Sequence, residues 1–249
     1  MFGVDSGLVF TVLCIFLFAG VVKGILGFGL PIITMSLLPF VIPVEMAIAL
    51  SAVVQPATNI FQLISAGGVK KAVTLSWPVL AALIPGVAVG AWYLTSLDSK
   101  SLLILIGFTI TTYALFDLLG YKVSIPPKKH IPVGFVFGFV AGIFGALTAL
   151  NGWAFIIYLV GLNAERNVFR STIALLFLIS GLLISSSFWL LGWLTAKVLL
   201  LGCVALLAAF PGMTIGNRIG ERLPGKLFRK LILTSLVFVG LFLASRGLI

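Results

Sequence analysis

The sequence predicts an all-α integral membrane protein made of two homologous repeats in inverted orientation, each a glycine-broken helical hairpin plus three transmembrane helices. Three observations lead there. Of the 249 residues, 61% are hydrophobic and only 9% charged, whereas a soluble domain carries about a quarter charged residues. The chain also echoes itself. Gly20, Gly24 and Gly27 return as Gly138, Gly142 and Gly145; Glu45 and Ser51 as Glu165 and Ser171; Pro85-Gly86 and Gly90, followed by Leu97 and Lys100, as Pro211-Gly212 and Gly216, followed by Leu223 and Lys226. The offsets of 118, 120 and 126 keep the order of these echoes. The third observation is the distribution of loop charge.

Six segments read as ordinary spans, at 44–66, 73–95, 101–121, 166–191, 194–217 and 228–247, each near the roughly 20 residues that cross a bilayer. Residues 7–43 and 131–162 are too long for one straight helix. The first is interrupted by Gly24, Gly27 and Gly29 with Pro31, the second by Gly142, Gly145 and Gly152. Each is either one kinked helix or a hairpin that returns to its own side. If each crosses once, one face collects Lys100, Arg166, Arg170, Arg218, Arg222, Lys226, Arg229 and Lys230, and the other Lys70, Lys71, Lys122, Lys128, Lys129, Lys197 and Arg246, eight against seven. If each returns, Lys100 changes places with Lys70, Lys71, Lys122, Lys128 and Lys129, giving twelve against three. Only the second obeys the positive-inside rule. Hairpins therefore follow, with both termini outside the cytoplasm, repeats at 1–121 and 131–249, and a cytoplasmic linker at 122–130. The tips, near Lys23–Gly29 and Thr148–Gly152, are expected to meet at the midplane, where irregular backbone survives only inside protein or along a polar cavity.

The net charge of +10 lies mostly between apolar runs, so it reads as orientation in the bilayer and not as nucleic-acid binding. No basic leader precedes the first apolar run, so no cleaved signal peptide is expected. Cys14 and Cys203 lie in apolar runs and read as small buried side chains, with no disulfide or metal framework.

Chemistry concentrates at the first break. Lys23 stands within an apolar run and beside glycines. A cation at membrane depth is costly unless paired or hydrated, although a snorkelling lysine is the plain alternative. Pro31 can open a new helix, whose free N–H groups and positive dipole end suit an anion. Ser51, Gln55, Asn59 and Gln62, with Thr58, then share one face of the following span. Such a stripe is either an interhelical hydrogen-bond seam or a substrate face, and its neutral donors beside a lysine would suit an oxyanion such as sulfite or a sulfonate. In the second half Ala141 replaces Lys23, and the break offers only Thr148 and Asn151. Asn151 would either donate to substrate or cap the next helix. Glu45, after Pro43, reads as a first-turn carboxylate that complements the helix dipole. Asp117, near Tyr113 and Thr109, either pairs with a basic group or sits at the interface. Pro85 and Pro211 read as kinks, the run Arg218–Lys230 as a headgroup-facing anchor, and His130 as linker. Duplicated chains with glycine-interrupted hydrophobic segments point to a transporter with its site between the repeats.

Lys23-Gly24 leading into Gly27-Phe28-Gly29-Leu30-Pro31, then Pro43 with Glu45-Met46-Ala47, then Thr58-Asn59-Ile60-Phe61-Gln62 resemble the TauE/SafE family of sulfite and organosulfonate exporters, in the toluene-sulfonate uptake permease group. With the duplicated layout, the likeness covers essentially the whole chain. It implies a multi-pass carrier of small sulfur-containing or organic anions in the bacterial inner membrane. Ala146–Trp153 departs from the glycine-rich or proline-bearing stretch common in that family.

The expected function is alternating-access transport of a small anion. Lys23 would neutralise it, Gly24, Gly27 and Gly29, with Gly142 and Gly145, would let the backbone approach it, and Gln55, Asn59, Gln62 and Asn151 would orient it. No cofactor or metal is expected. The partners are the anion and the lipid bilayer, without nucleic acid; homo-oligomer formation, the coupling ion and the direction of transport stay open. An anion channel and a non-transporting membrane scaffold are the alternatives. An enzyme is disfavoured because the chain has a single histidine and no nucleophile, base and orienting group in one span.

Overall fold

The computed structural model describes residues 5–120, 123–220 and 225–248, the side chains of Arg166 and residues 225–228 excepted. Lys122, Arg222 and Leu223, used above in the charge tally and the echo, lie outside them, as does the side chain of Lys226. Ten α-helices follow one another among the described residues: α1 Ser6–Leu26, α2 Leu30–Leu37, α3 Val44–Ala66, α4 Val69–Leu94, α5 Ser99–Leu118, α6 His130–Thr148, α7 Gly152–Gly161, α8 Arg166–Leu190, α9 Ala196–Gly220 and α10 Gly225–Leu248. Single 3₁₀ turns occupy Leu38–Phe40 and Pro127–Lys129, and the described residues contain no strand. Eight helices are long and apolar enough to cross a bilayer; α2 and α7 are not. The protein is an integral membrane protein.

The six ordinary spans appear as α3, α4, α5, α8, α9 and α10. Each broken segment divides into a full-length helix and a short one, so α1, at about 1.5 Å per residue, reaches across the bundle before the chain turns. Contrary to the expectation from sequence, Gly24, Gly142 and Gly145 do not interrupt their helices. Only Gly27 (φ 81°) and Gly29 (φ 106°) take left-handed backbone at the first break. At the second, Ala149 (φ 57°) takes it without any glycine. The Gly27 N–H closes α1 on the Lys23 carbonyl at 2.7 Å, and the Ala149 N–H closes α6 on Gly145 at 2.8 Å. Pro31, in the first turn of α2, falls where a missing N–H costs nothing.

Contacts between helix ends fix the topology. At one end Ser99 donates to Glu45, Arg246 donates to the Pro39 carbonyl at 3.3 Å, and Gly247 lies on Lys100. At the other, Gln62 donates to the Gly27 carbonyl at 2.8 Å, Arg229 pairs with Asp117, and His130 contacts the Leu75 carbonyl at 2.9 Å. α1 plus α2 therefore leaves and returns to the first end, and α6 plus α7 leaves and returns to the second, where the Ile125 N–H meets the Gly161 carbonyl at 2.8 Å.

Four pairings build the bundle. α1 runs parallel to α9, with Leu17 facing Gly212, Val21 facing Gly216 and Ile25 facing Gly220. α4 runs parallel to α6, with Val79 facing Gly138 and Val87 facing Gly142. α5 and α10 are antiparallel, as are α3 and α8. α3 is central: 67% of its most apolar stretch is buried, against 28% for α10. Outward side chains such as Phe10, Trp92, Leu207 and Phe238 are exposed, as lipid-facing positions can be at no cost. Cys14 and Cys203 join them on the outside, correcting the expected burial: a thiol in hydrocarbon has no water to escape. His130 is no linker residue either. It opens α6 and stacks on Tyr158 at 6.0 Å.

Candidate functional site

Lys23 belongs to the last turn of α1 and is 3% exposed. Its ammonium does not snorkel to an interface; it turns inward, donating to Asn59 Oδ1 at 2.6 Å and to Thr58 Oγ1 at 3.4 Å. Its acceptors are a neutral amide and a hydroxyl, and the carboxylate of Asp117 is engaged elsewhere, by Arg229. Both ends of the Asn59 amide are engaged, since its Nδ2 donates to the Gln55 carbonyl at 2.8 Å. Gln62 secures the break, with Nε2 bonding the carbonyls of Gly27 at 2.8 Å and Arg170 at 3.4 Å. Ser51 binds Thr34 of α2 at 2.8 Å. The whole stripe is buried, as its periodicity on α3 required.

Gln55 differs from its neighbours. It is 0% exposed, and neither amide atom has a partner. Asn151 repeats this at the second break: 0% exposed, with Oδ1 and Nδ2 both unpartnered. It occupies the N-cap position of α7 without making a cap bond, so of the two roles open to it, capping is not realised. Buried amides without partners are uncommon in native proteins.

The two breaks do not meet tip to tip. Gly27 lies beside Arg170, in the first turns of α8. Gly145, against which Asn151 packs, lies beside Ile184, about 21 Å further along that helix at 1.5 Å per residue. The reason is that α1 and α6 each stay helical for a full crossing. What joins the levels is the stripe on α3: Gln62 at the first break, Thr58 and Asn59 at Lys23, and Gln55 against Gly181, one turn of α8 short of Ile184.

The named glycines divide by task. A Cβ on Gly24 would fall onto the Met213 carbonyl of α9, and one on Gly142 would sit 2.7 Å from the Val87 nitrogen of α4; both permit helix contact. A Cβ on Gly145 would come within 2.9 Å of Asn151 Nδ2. Gly27 and Gly29 alone shape irregular backbone. Glu45 lies in the first turn of α3 as expected, where it accepts from Ser99. Asp117 takes the paired option: Arg229 grips it through Nη2 at 2.6 Å and Nε at 3.0 Å. Arg170, counted in the sequence only as a loop charge, borders the first break together with Asn217. Its only sequence signal was its position one turn into a span.

A model of the family described as sulfite exporter TauE/SafE matches residues 12–243. No curated protein and no solved structure matches the chain.

Proposed function

Because the chain belongs to the sulfite exporter TauE/SafE family, a family of membrane transporters, we propose that it carries a small oxyanion, sulfite or an organosulfonate, across the bacterial inner membrane by alternating access. The observation that carries this reading is Lys23. A buried ammonium with only amide and hydroxyl acceptors leaves its charge unneutralised in a low-dielectric interior, and an anionic substrate would supply the missing counter-charge. The unpartnered amides of Gln55 and Asn151 offer donors along the same path, while Asn59 and Gln62 orient Lys23 and the break.

The repeat is part of this reading. We take α1–α5 and α6–α10 as inverted units at 1–121 and 131–249, joined by the cytoplasmic segment 122–130. The pairing supports it: α1 with α9 mirrors α6 with α4, and α3 and α5 each pair with their own counterpart. Exchange of the two hairpins about the α3/α8 pair would open the stripe to each side in turn.

Uptake of labelled sulfite, methanesulfonate and acetate into proteoliposomes tests the proposal. Saturable flux of an oxyanion, lost in monodisperse Lys23→Ala, is the expected result. Flux that rises linearly with concentration would make the protein a channel, and Lys23→Ala flux equal to wild type would remove Lys23 from the site.

A further inference from the structure

At the end of the bundle where α1 finishes, a cavity of about 260 Å³ separates the last turns of α1 and α9 from the first turn of α8. Its lining includes Gly27, Phe169, Arg170 and Asn217. Phe169 packs edge-on against Phe28 at 6.4 Å, closing one wall. Arg170 is half-buried, and among the described residues its guanidinium faces no carboxylate. Its carbonyl, however, is tied through Gln62 to the first break, and Gln62 lies one turn from Asn59, which holds Lys23. The cavity thus adjoins the start of the polar stripe. It is smaller than the roughly 300–1,000 Å³ of sites for drug-sized ligands, a size suited to a small ion with a few waters.

We infer that this cavity is the loading mouth of the transport site, where the Arg170 guanidinium and the Asn217 amide receive the anion before it passes to Lys23. This rests on the anion-carrier reading above and sharpens its substrate class. A guanidinium presents a planar fork of donors that matches two oxygens on one centre. The mouth therefore selects sulfite, sulfonates and carboxylates over monatomic halides. Two cations on one route also divide the labour: Arg170 gathers the ion at the aqueous end, and Lys23 neutralises it inside. The competing role for Arg170 is structural, a cation beside the carbonyl end of α1 that complements its dipole.

Kinetics in proteoliposomes separate the two roles. For labelled sulfite and methanesulfonate, Arg170→Gln raises KM about tenfold or more, the scale of a lost charged hydrogen bond, with a smaller effect on Vmax. Arg170→Lys recovers part of the loss, because it restores charge without the fork, and Asn217→Leu shifts KM in the same direction. A wild-type KM in Arg170→Gln, with Lys23→Ala inactive, overturns the mouth and leaves the carrier standing. A lower melting temperature and Vmax at unchanged KM overturns it too, making Arg170 a helix-end cation. Absence of saturable oxyanion uptake by the wild type removes both readings together.

Discussion

Asn59 and Gln55 are neighbours on one face of α3, equally buried, yet they stand in opposite hydrogen-bonding states. Asn59 has both ends of its amide in use, one on Lys23 and one on the Gln55 carbonyl; the Gln55 amide is idle. Replacement by leucine should therefore act in opposite directions. Asn59→Leu strips the ammonium of its 2.6 Å acceptor and leaves it Thr58 at 3.4 Å, a loss of about 1–3 kcal/mol for an unsatisfied buried group. Gln55→Leu removes two unpartnered polar atoms, so the melting temperature in detergent holds or rises while the KM for the transported oxyanion increases. Thermal unfolding beside uptake reads both, and a Gln55→Leu protein that melts lower with unchanged uptake would make Gln55 a structural residue. The stripe itself was legible in the sequence, because a helical period of polar residues in an apolar span needs only local spacing. Its division into holding and idle residues was not. That depends on Lys23, which arrives from another helix.

At the scale of elements, glycine does two jobs that composition cannot tell apart. Gly27 needs its left-handed backbone, and a methyl group added there would meet, among the described residues, only the Arg170 side chain, at 4.0 Å. Gly24 and Gly86 are helical and lie against the Met213 and Phe139 carbonyls of the facing helices, the small-residue approach by which membrane helices associate. Gly27→Ala then costs about 1–2 kcal/mol for the left-handed alanine. Gly24→Ala and Gly86→Ala must push two backbones apart along the α1/α9 and α4/α6 seams, and they should lower the melting temperature more than Gly27→Ala does. The reverse order would mean that these seams yield to a methyl group. The second break falls near Thr148–Gly152, as the sequence placed it, but the glycines credited with it were the wrong ones for the same reason. Glycines at 142 and 145 suggested a bend, but they serve helix contact, and the turn falls at Ala149, a residue type with no compositional mark for positive φ. Likewise, the Asp117–Arg229 pair spans a sequence separation of 112, beyond any local pattern.

Across the whole molecule, the two hairpins decide which loops share a side. α1 and α2 begin and end at one end of the bundle, and α6 and α7 at the other, so α4 starts where α9 finishes: Gly68 lies beside Ser171 of α8, and Gly220 beside Ile25 of α1. Lys71, Lys129 and Arg218 consequently gather at one end, with Lys197 and Arg246 at the other. This follows the division of charge that the loops imply, with Lys122 and Arg222 outside the described residues, and a bilayer would place the basic end in the cytoplasm. Had each broken segment crossed once, Lys71 and Arg218 would lie on opposite sides, and Lys129 and Lys197 on the same one. Single cysteines at these four positions, in a background with Cys14 and Cys203 replaced, separate the cases through labelling of intact cells with a membrane-impermeant maleimide. Labelling of Lys197→Cys alone, with the other three reacting only after the membrane is permeabilised, is the expected pattern. Labelling of Arg218→Cys in intact cells would mean that one hairpin crosses, and the proposed inverted arrangement, with its shared site along α3 and α8, would fall with it.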